Sequence, residues 1–564
     1  MLSFFVSHYD IILEALAIAV GVMIARLIPR HRFTWWRVVR RALGRMALQR
    51  GVLVTLIGLL GLGASATLSL LGRMPEPSVH DEFSYLLAAD TFSRGRLSNP
   101  THPLWMHFES FHIMQQPTYA SKYPPAQGVM LAVGQVIGGH PIVGVWISTG
   151  LACAAICWML LAWMPPRWAM LGGVLTALHP GILLVWSQSY WGGTVAAMGG
   201  ALLFGGWRRI VREPRRRDAL LLGVGLAVLA HSRPYEGVLV SVPVAVALLV
   251  WMLSKNGPTA RISIGRLGLP ILAVLAGAGG AMGFYNWRVT GNAWRMPYQV
   301  YEATYAPMPL FLWQQPRPMP AYRHAVMRDF YLFADYLFKE QRSVRGLAWM
   351  SWQKLKTLWT FYQGGHDFRL VLTIPLVLLP WLLRDRWSRL ALFTCGTLAV
   401  GLLMEPWVFP HYAAPITGLV VALVLQALRH LRLWRWPGTM AGRSVAWVVL
   451  VVAIASFMVA FAQHMQAQPV SWPFDRARIL RELKAEGDRH LVIVRYGSQH
   501  SPNHEWVYNE ADIDAAPVVW AREMDPPQTE RLLKYFKDRH VWLAQVDVDT
   551  RPPMLLPYPS TWRP

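Results

Sequence analysis

Asp81 and Glu82 stand side by side just beyond an uncharged apolar run, Gly51–Gly72, and open a stretch dense in His, Tyr, Trp, Gln and Pro. Carboxylates at a membrane exit serve as a base, a metal ligand or a cation-pathway residue, and they are costly to keep near lipid without such a use. The same stretch carries His80, His102, His107, Glu109 and His112, and closes on Ser121-Lys122-Tyr123-Pro124-Pro125. An acidic pair opening one helix at the membrane surface, and Lys122 leading into a second, bring a base and a cation to one surface. That combination suits transfer from a lipid-linked phosphate: the carboxylate takes a proton from an acceptor hydroxyl and the cation stabilises the departing phosphate. A positioned base contributes roughly 10²–10⁴-fold, and a preorganised charge at a developing oxyanion about 3–4 kcal/mol in a dry site.

Three further groups fall at the ends of apolar runs. In His231-Ser232-Arg233-Pro234-Tyr235-Glu236, a mid-membrane charge would cost roughly 2.5–3.5 kcal/mol. Arg233 and Glu236 therefore require a polar cavity or the outer interface, and Pro234 breaks the helix there. Gln188 and Tyr190 lie in Ser187–Gly193, with side chains suited to sugar or phosphate. Glu405-Pro406-Trp407 and Pro410-His411-Tyr412 would complete a cavity.

Each of these has a plainer reading. Acids favourably begin any helix, Lys122 could snorkel to headgroups, Arg233 could pair structurally with Glu236, and Tyr190 and Trp191 suit an interface belt. The histidines do not show metal-ligand spacing. A divalent metal is the one cofactor left open, with His80, Asp81 and His102 as its weak candidate ligands.

The elements that must position these residues are membrane helices. Mean hydropathy is +0.29, apolar residues make up 54% of 564, and there are 28 Trp, a residue favoured at membrane interfaces. The formal charge of +23 does not indicate nucleic acid, because it is gathered into short clusters between apolar runs. Eight Arg and no acid occupy 26–50, six Arg against two acids occupy 208–218, and another cluster occupies 429–443. This is the positive-inside pattern. The three Cys all lie within apolar runs, so neither a disulfide framework nor a Cys-based zinc site is implied.

With about 20 residues needed per crossing, we read twelve spans, near 11–28, 51–72, 141–163, 168–187, 193–207, 219–231, 237–254, 267–286, 366–383, 387–404, 412–428 and 444–463. Arginine placement puts both termini outside, provided that 124–138 lies along the interface instead of crossing; 82–94 reads the same way. The expected fold is a polytopic α-helical membrane protein with two interfacial helices in its first outer loop and a small C-terminal α/β domain. The division is an extra span and basic loop (1–50), a catalytic membrane module (51–290, with outer loop 73–140), a large outer loop (291–365), later membrane helices (366–463) and the outer α/β domain (464–564).

The order of apolar span, Asp81-Glu82, interfacial helix, and Lys122-x-Pro124-Pro125 entering a second interfacial helix resembles the GT-C membrane glycosyltransferases. Within these it looks most like the branch of protein O-mannosyltransferases and lipid A aminoarabinose transferases. The resemblance covers roughly 51–290, and the later spans by topology alone. It implies a polyprenyl-phosphate sugar as donor and catalysis on the outer side of the membrane. It makes Asp81 the catalytic acid, Glu82 its acidic neighbour, Lys122 the cation at the donor phosphate and Arg233 a second one. Tyr123, Tyr190, Gln188, Glu236, His411 and Tyr412 become substrate-binding candidates. Many relatives carry another Asp in the second outer loop; here that loop reads Ser187-Gln188-Ser189-Tyr190-Trp191-Gly192-Gly193, which puts a two-carboxylate mechanism in doubt.

The expectation is thus an inverting glycosyltransferase of a bacterial inner membrane, acting at its periplasmic face on an envelope lipid, glycan or protein acceptor, with membrane lipids around it and no nucleic-acid partner. The rivals are a transporter or flippase of a lipid-linked sugar, in which charges would lie along a mid-membrane path, and an O-antigen ligase or polymerase. The polar residues concentrate in outer loops, and there is no inverted repeat.

Overall fold

In a computed structural model, residues 23, 34–255, 257–363, 376–433, 441–467, 471–547 and 553–559 are described. Among them, seven helices are long and apolar enough to cross a membrane: Arg50–Leu71, Pro141–Trp163, Pro166–Gln188, Pro234–Leu253, Ala260–Thr290, Ala414–Leu433 and Ser444–Gln466. The apolar window of Ala260–Thr290 is only 6% buried by protein. Leu269 and Leu272 on it, and Val250 and Leu253 on the preceding helix, are more than half exposed. Apolar surface of this extent is stable only against another apolar phase.

Seven is fewer than the twelve read from the sequence. Three expected spans, 193–207, 219–231 and 387–404, coincide with Gly193–Arg212, Arg216–Ser232 and Arg386–Leu403, which are helical but are not among the seven. Each has Arg residues at one end, and the second is only 17 residues long. The expected span 11–28, except for residue 23, and most of 366–383 lie outside the described residues. The run 168–187 is not a plain helix either. Pro166–Ala177 ends before Pro180, which cannot continue a regular ladder, and the chain proceeds through a wide turn at Gly181–Val185 and a tight one at Trp186–Gln188.

Pro141–Trp163 is the centre of the helical core, packed against Arg50–Leu71 on one side and Gly193–Arg212 on another. Small residues allow the close approach. A Cβ on Gly61 would sit 2.8 Å from Cys153 Sγ, and one on Gly150 would sit 2.9 Å from the Gly58 carbonyl. Cys153 and Cys157 are both buried and free, as helix packing requires. The tightest approach is at Gly200, where a Cβ would lie 1.8 Å from the Pro415 carbonyl. That contact seats the turn carrying His411 and Tyr412 on the Gly193–Arg212 helix.

The ends of these helices sort into two groups. At one end Arg208 lies over Trp387 (3.6 Å), and the Arg167 guanidinium is where a Gly44 side chain would point. At the other, the segments around Glu82, Tyr190, Arg233, Glu302 and Tyr412 converge. The first outer loop contributes the helices His80–Ser93 and Pro125–Gly138, joined by a short antiparallel pair, Ile113–Met114 with Ala120–Ser121. Both helices occupy stretches read from the sequence as interfacial. The large loop 291–365 holds the helices Pro297–Tyr305, Ala325–Glu340 and Val344–Gln363.

Beyond 471, helix Ser471–Ala485 leads into strand His490–Tyr496, which pairs in parallel with Val518–Arg522 and His540–Val546; Met554–Pro557 adds an antiparallel edge. This sheet does not stand alone. Phe83, Leu87, Phe108, Ile113 and Tyr119 of the first outer loop share one apolar core with Trp506, Trp520 and the strands. Phe83 stacks on Tyr508 at 3.9 Å, Arg522 Nε donates to the Glu109 carbonyl (2.7 Å), and Ala511 N donates to Asp90 Oδ2 (2.7 Å). The α/β unit backs the loop that carries Asp81.

Because no side-chain rearrangement can relieve a contact with a backbone carbonyl, Gly200→Ala is expected to destabilise the fold by about 1–3 kcal/mol. The check is the thermal midpoint of the purified protein in detergent.

Candidate functional site

Asp81 is the second residue of His80–Ser93, where the exposed N–H groups of a helix start favour an anion. Its Oδ1 accepts a hydrogen bond from Tyr123 Oη (2.7 Å) and meets His112 Nδ1 at 2.5 Å. Its Oδ2 has no hydrogen bond among the described residues, and the side chain is 18% exposed. Burial would raise its pKa, but His112, Lys122 and Tyr123 together hold it well below the usual carboxylate range. Burial and the nearby Lys122 charge push His112 below its ordinary value, against Asp81 and Glu302. The pair is therefore an ionised carboxylate receiving Nδ1–H from a neutral imidazole.

The backbone holds His112 firmly. Its φ is +62°, a left-handed conformation uncommon outside glycine. It persists because Tyr301 Oη accepts from His112 N (2.7 Å), while Ser84 Oγ (2.6 Å) and Lys122 N (3.2 Å) both donate to the His112 carbonyl. Strain of this sort survives only where the surroundings over-determine it.

Lys122 is buried beside this pair. Its Nζ is 3.0 Å from Glu302 Oε1, and it lies over the rings of Tyr298 and Tyr301 at 4.6 and 4.7 Å. The second carboxylate at the site thus comes from the large loop 291–365, not from 187–193. Arg233 lies over the Tyr412 ring at 4.3 Å and meets Glu236 at 3.5 Å, a loose pair. Asp81 and Arg233 lie within electrostatic reach of the same hydroxyls, those of Tyr85 and Tyr412. His411 adjoins them, with its ring against Trp191 at 4.8 Å. Burial and Arg233 lower its pKa, and neither of its nitrogens has a partner. Buried polar atoms without partners are uncommon and call for an occupant.

Other sequence candidates have different neighbours. Glu82 is turned from Asp81: one oxygen accepts from Ser78 N (2.8 Å) and the other from Tyr190 N (2.9 Å). It clamps the second outer loop to the first, and burial pushes its pKa up to about 7 against those bonds. Tyr190 donates from Oη to the Pro75 carbonyl (3.1 Å), and its own carbonyl accepts from Gln127 (2.9 Å). Gln188 accepts from Ser69 Oγ (2.9 Å) and packs on the Arg50–Leu71 helix. His80 stacks on Phe111 at 4.2 Å and bonds Tyr508 Oη through Nδ1 (2.9 Å). His102 faces Asp514 at 3.2 Å in the α/β unit, well apart in its contacts from Asp81. Among the described residues, no group of three or more His, Cys, Asp or Glu side chains is arranged to hold a metal ion.

The sequence reading missed His112 as the partner of Asp81, and missed Tyr85, Tyr298, Tyr301 and Glu302 altogether. A signal for the last three existed. Tyr298, Tyr301, Glu302 and Tyr305 recur at helical spacing in 297–305, the pattern of a polar aromatic face.

No protein-family model and no curated protein sequence matches the chain. Solved structures do. ArnT from Cupriavidus metallidurans in the apo state is 12% identical, with a TM-score of 0.50 over 86% of this chain and 92% of that one; the same enzyme has also been solved bound to undecaprenyl phosphate. The Archaeoglobus fulgidus oligosaccharyltransferase is 12% identical at a TM-score of 0.49, over 84% and 64%. The mycobacterial arabinofuranosyltransferase AftD is 14% identical at 0.43, over 89% and 36%. The chain spans less than two thirds of the length of the archaeal enzyme. At these identities the likeness is one of fold alone: the chain shares the fold of the apo ArnT structure.

Two outcomes follow from the ionic arrangement. Glu302→Gln leaves Lys122 buried without its counter-charge and is expected to cost about 3–5 kcal/mol, much of it recovered in the double variant Lys122→Met/Glu302→Leu; thermal midpoints of the three proteins check this. Glu82 has a folded pKa above its unfolded value, so the folded state binds the proton more tightly and loses stability as pH rises from about 4.5 through 7. Relative to Glu82→Gln, the wild-type midpoint should fall across that window and the difference level off above it.

Proposed function

We propose that the chain is a GT-C glycosyltransferase that moves a sugar from a polyprenyl-phosphate donor to an acceptor hydroxyl, at the periplasmic face of a bacterial inner membrane. The observation that carries this is an aromatic patch with an anion and a cation on it: Asp81 is bonded to Tyr123 (2.7 Å), whose ring stacks on Tyr85 (4.6 Å), and Arg233 lies over Tyr412 (4.3 Å). An anion and a cation on either side of a bound sugar are what displacement of a phosphate by a hydroxyl needs.

The acceptor hydroxyl hydrogen-bonds Asp81 Oδ2, which is free for it. Its oxygen forms the new bond to the anomeric carbon while the bond from that carbon to the phosphate oxygen breaks, with inversion. The polyprenyl phosphate leaves with the electron pair, and the hydroxyl proton passes to Asp81. Since His112 and Tyr123 hold Asp81 at a low pKa, the proton moves late, once the attacking oxygen has acquired positive character. The donors on Oδ1 fix the carboxylate so that Oδ2 points at the acceptor.

Of the two cations, we assign the leaving phosphate to Arg233, whose acid partner is at 3.5 Å and whose side chain is 15% exposed. Lys122 is engaged by Glu302 and 5% exposed, and in this reading it positions His112 and Tyr123. His411, with both nitrogens unpartnered, would face the phosphate or the sugar. A mostly apolar groove of about 420 Å³, between Pro180–Val185 and Gln353–Phe361, runs to Pro410, next to His411. It would take the isoprenoid chain. Glu82, Tyr190 and Gln188 hold the loops together in this scheme.

Purified protein in detergent, with no sealed compartment, should transfer sugar from a polyprenyl-phosphate donor; a transporter would not. Asp81→Asn should lower that rate by roughly 10²–10⁴-fold. Arg233→Gln should reduce it and weaken inhibition by polyprenyl phosphate. A correctly inserted Asp81→Asn protein with full activity would exclude Asp81 as the base.

A further inference from the structure

A second cavity, of about 230 Å³, lies beyond Tyr301 from Asp81. It is enclosed by the first outer loop, the helix Pro297–Tyr305 and the segment around 320–327, and it is far larger than the ~10–15 Å³ that one water needs. Tyr301 is the shared wall. Its hydroxyl accepts from His112 N, its ring lies beneath Lys122, and it lines the cavity. None of the residues assigned above to the leaving phosphate lines this space.

The lining is built for hydroxyl groups. Glu109 is almost fully buried, and its charge is met by Tyr305 Oη (2.8 Å) and Arg323 Nη1 (3.3 Å). His324 Nε2 lies 3.5 Å from its other oxygen, so local charge is balanced, and the half-exposed Arg323 still presents guanidinium N–H groups. Gln115, 1% exposed, gives its Nε2 to the Phe108 carbonyl (2.7 Å), while its Oε1 is buried without any partner. Trp105 and the tyrosines supply aromatic walls. A balanced charge pair, an unused acceptor and aromatic faces around a pyranose-sized space match a neutral sugar ring, which has hydroxyls at its rim and C–H groups on its faces.

We infer that this cavity is a saccharide subsite, holding one neutral pyranose ring of a glycan acceptor beyond the residue being glycosylated. The assignment to the acceptor rests on the proposed transferase reading; the binding of a sugar here does not.

The test is saturation-transfer NMR on the full-length protein in detergent with methyl glycosides of glucose, galactose and mannose. At least one should bind, with Kd on the order of 1 mM. Thr304→Trp, which fills the cavity from Pro297–Tyr305 and leaves Glu109, Gln115 and Arg323 in place, should weaken binding roughly tenfold or more. Arg323→Met, at a side chain 45% exposed, should do likewise and serves if the filled variant does not fold. Binding should persist in Asp81→Asn. In transfer assays the binding glycoside should compete with a glycan acceptor and not with the donor. Failure of all three glycosides to bind, or binding unchanged in the folded variants, overturns the subsite. Competition with the donor overturns its assignment to the acceptor. Loss of the transferase reading alone would show as a purified protein that transfers no sugar from a polyprenyl-phosphate donor yet still binds the glycoside.

Discussion

A carboxylate kept ionised at the edge of an apolar bundle is the constraint around which the outer half of this protein is arranged. Desolvation alone would drive Asp81 toward its neutral form. What opposes it is specific: a hydroxyl from Tyr123, an imidazole N–H from His112, the ammonium of Lys122, and the start of a helix. Each of these must itself be held. Lys122 needs Glu302, His112 needs three backbone hydrogen bonds to keep a left-handed φ, and the Asp81 helix needs the α/β unit behind it. One charge thereby accounts for contacts reaching residues 302 and 508.

The terminal α/β unit and the late outer loop belong to the same scheme. Phe83, on the turn that carries Asp81, is covered by Tyr508 and by the Arg476 guanidinium. Arg522 reaches from a strand to the Glu109 carbonyl and also pairs with buried Glu505. A loop of this length would be costly to order by itself. A shared apolar core supplies the compensation, and it explains why the loop could carry so many polar side chains without losing its shape.

Much of this was legible in the chain. The apolar runs and arginine clusters marked the helices, the acids and prolines marked the two short helices of the first outer loop, and the tail expected to be α/β holds the strands His490–Tyr496, Val518–Arg522 and His540–Val546. Legibility failed where charge and length disagree with function. The apolar run 193–207 reads as a span by its composition, yet the arginine end of Gly193–Arg212 keeps that helix from qualifying by hydropathy. The Asp81-Glu82 pair looked like a unit, but adjacent residues on a helix point about 100° apart. One meets His112 and Tyr123 and the other meets Tyr190.

By itself, the sequence determined which residues are apolar, where charges interrupt them and hence which segments end on the same side, because those follow from the cost of placing each residue in lipid. Only the tertiary structure decided the partners. His112, Glu302 and Tyr301 lie 31, 221 and 220 positions from Asp81 in the chain, and no local periodicity encodes contacts at such separations. They meet because close helix packing at Gly200, Gly150 and Gly61 brings the loops together, and because a buried Lys122 requires a counter-charge, which Glu302 supplies.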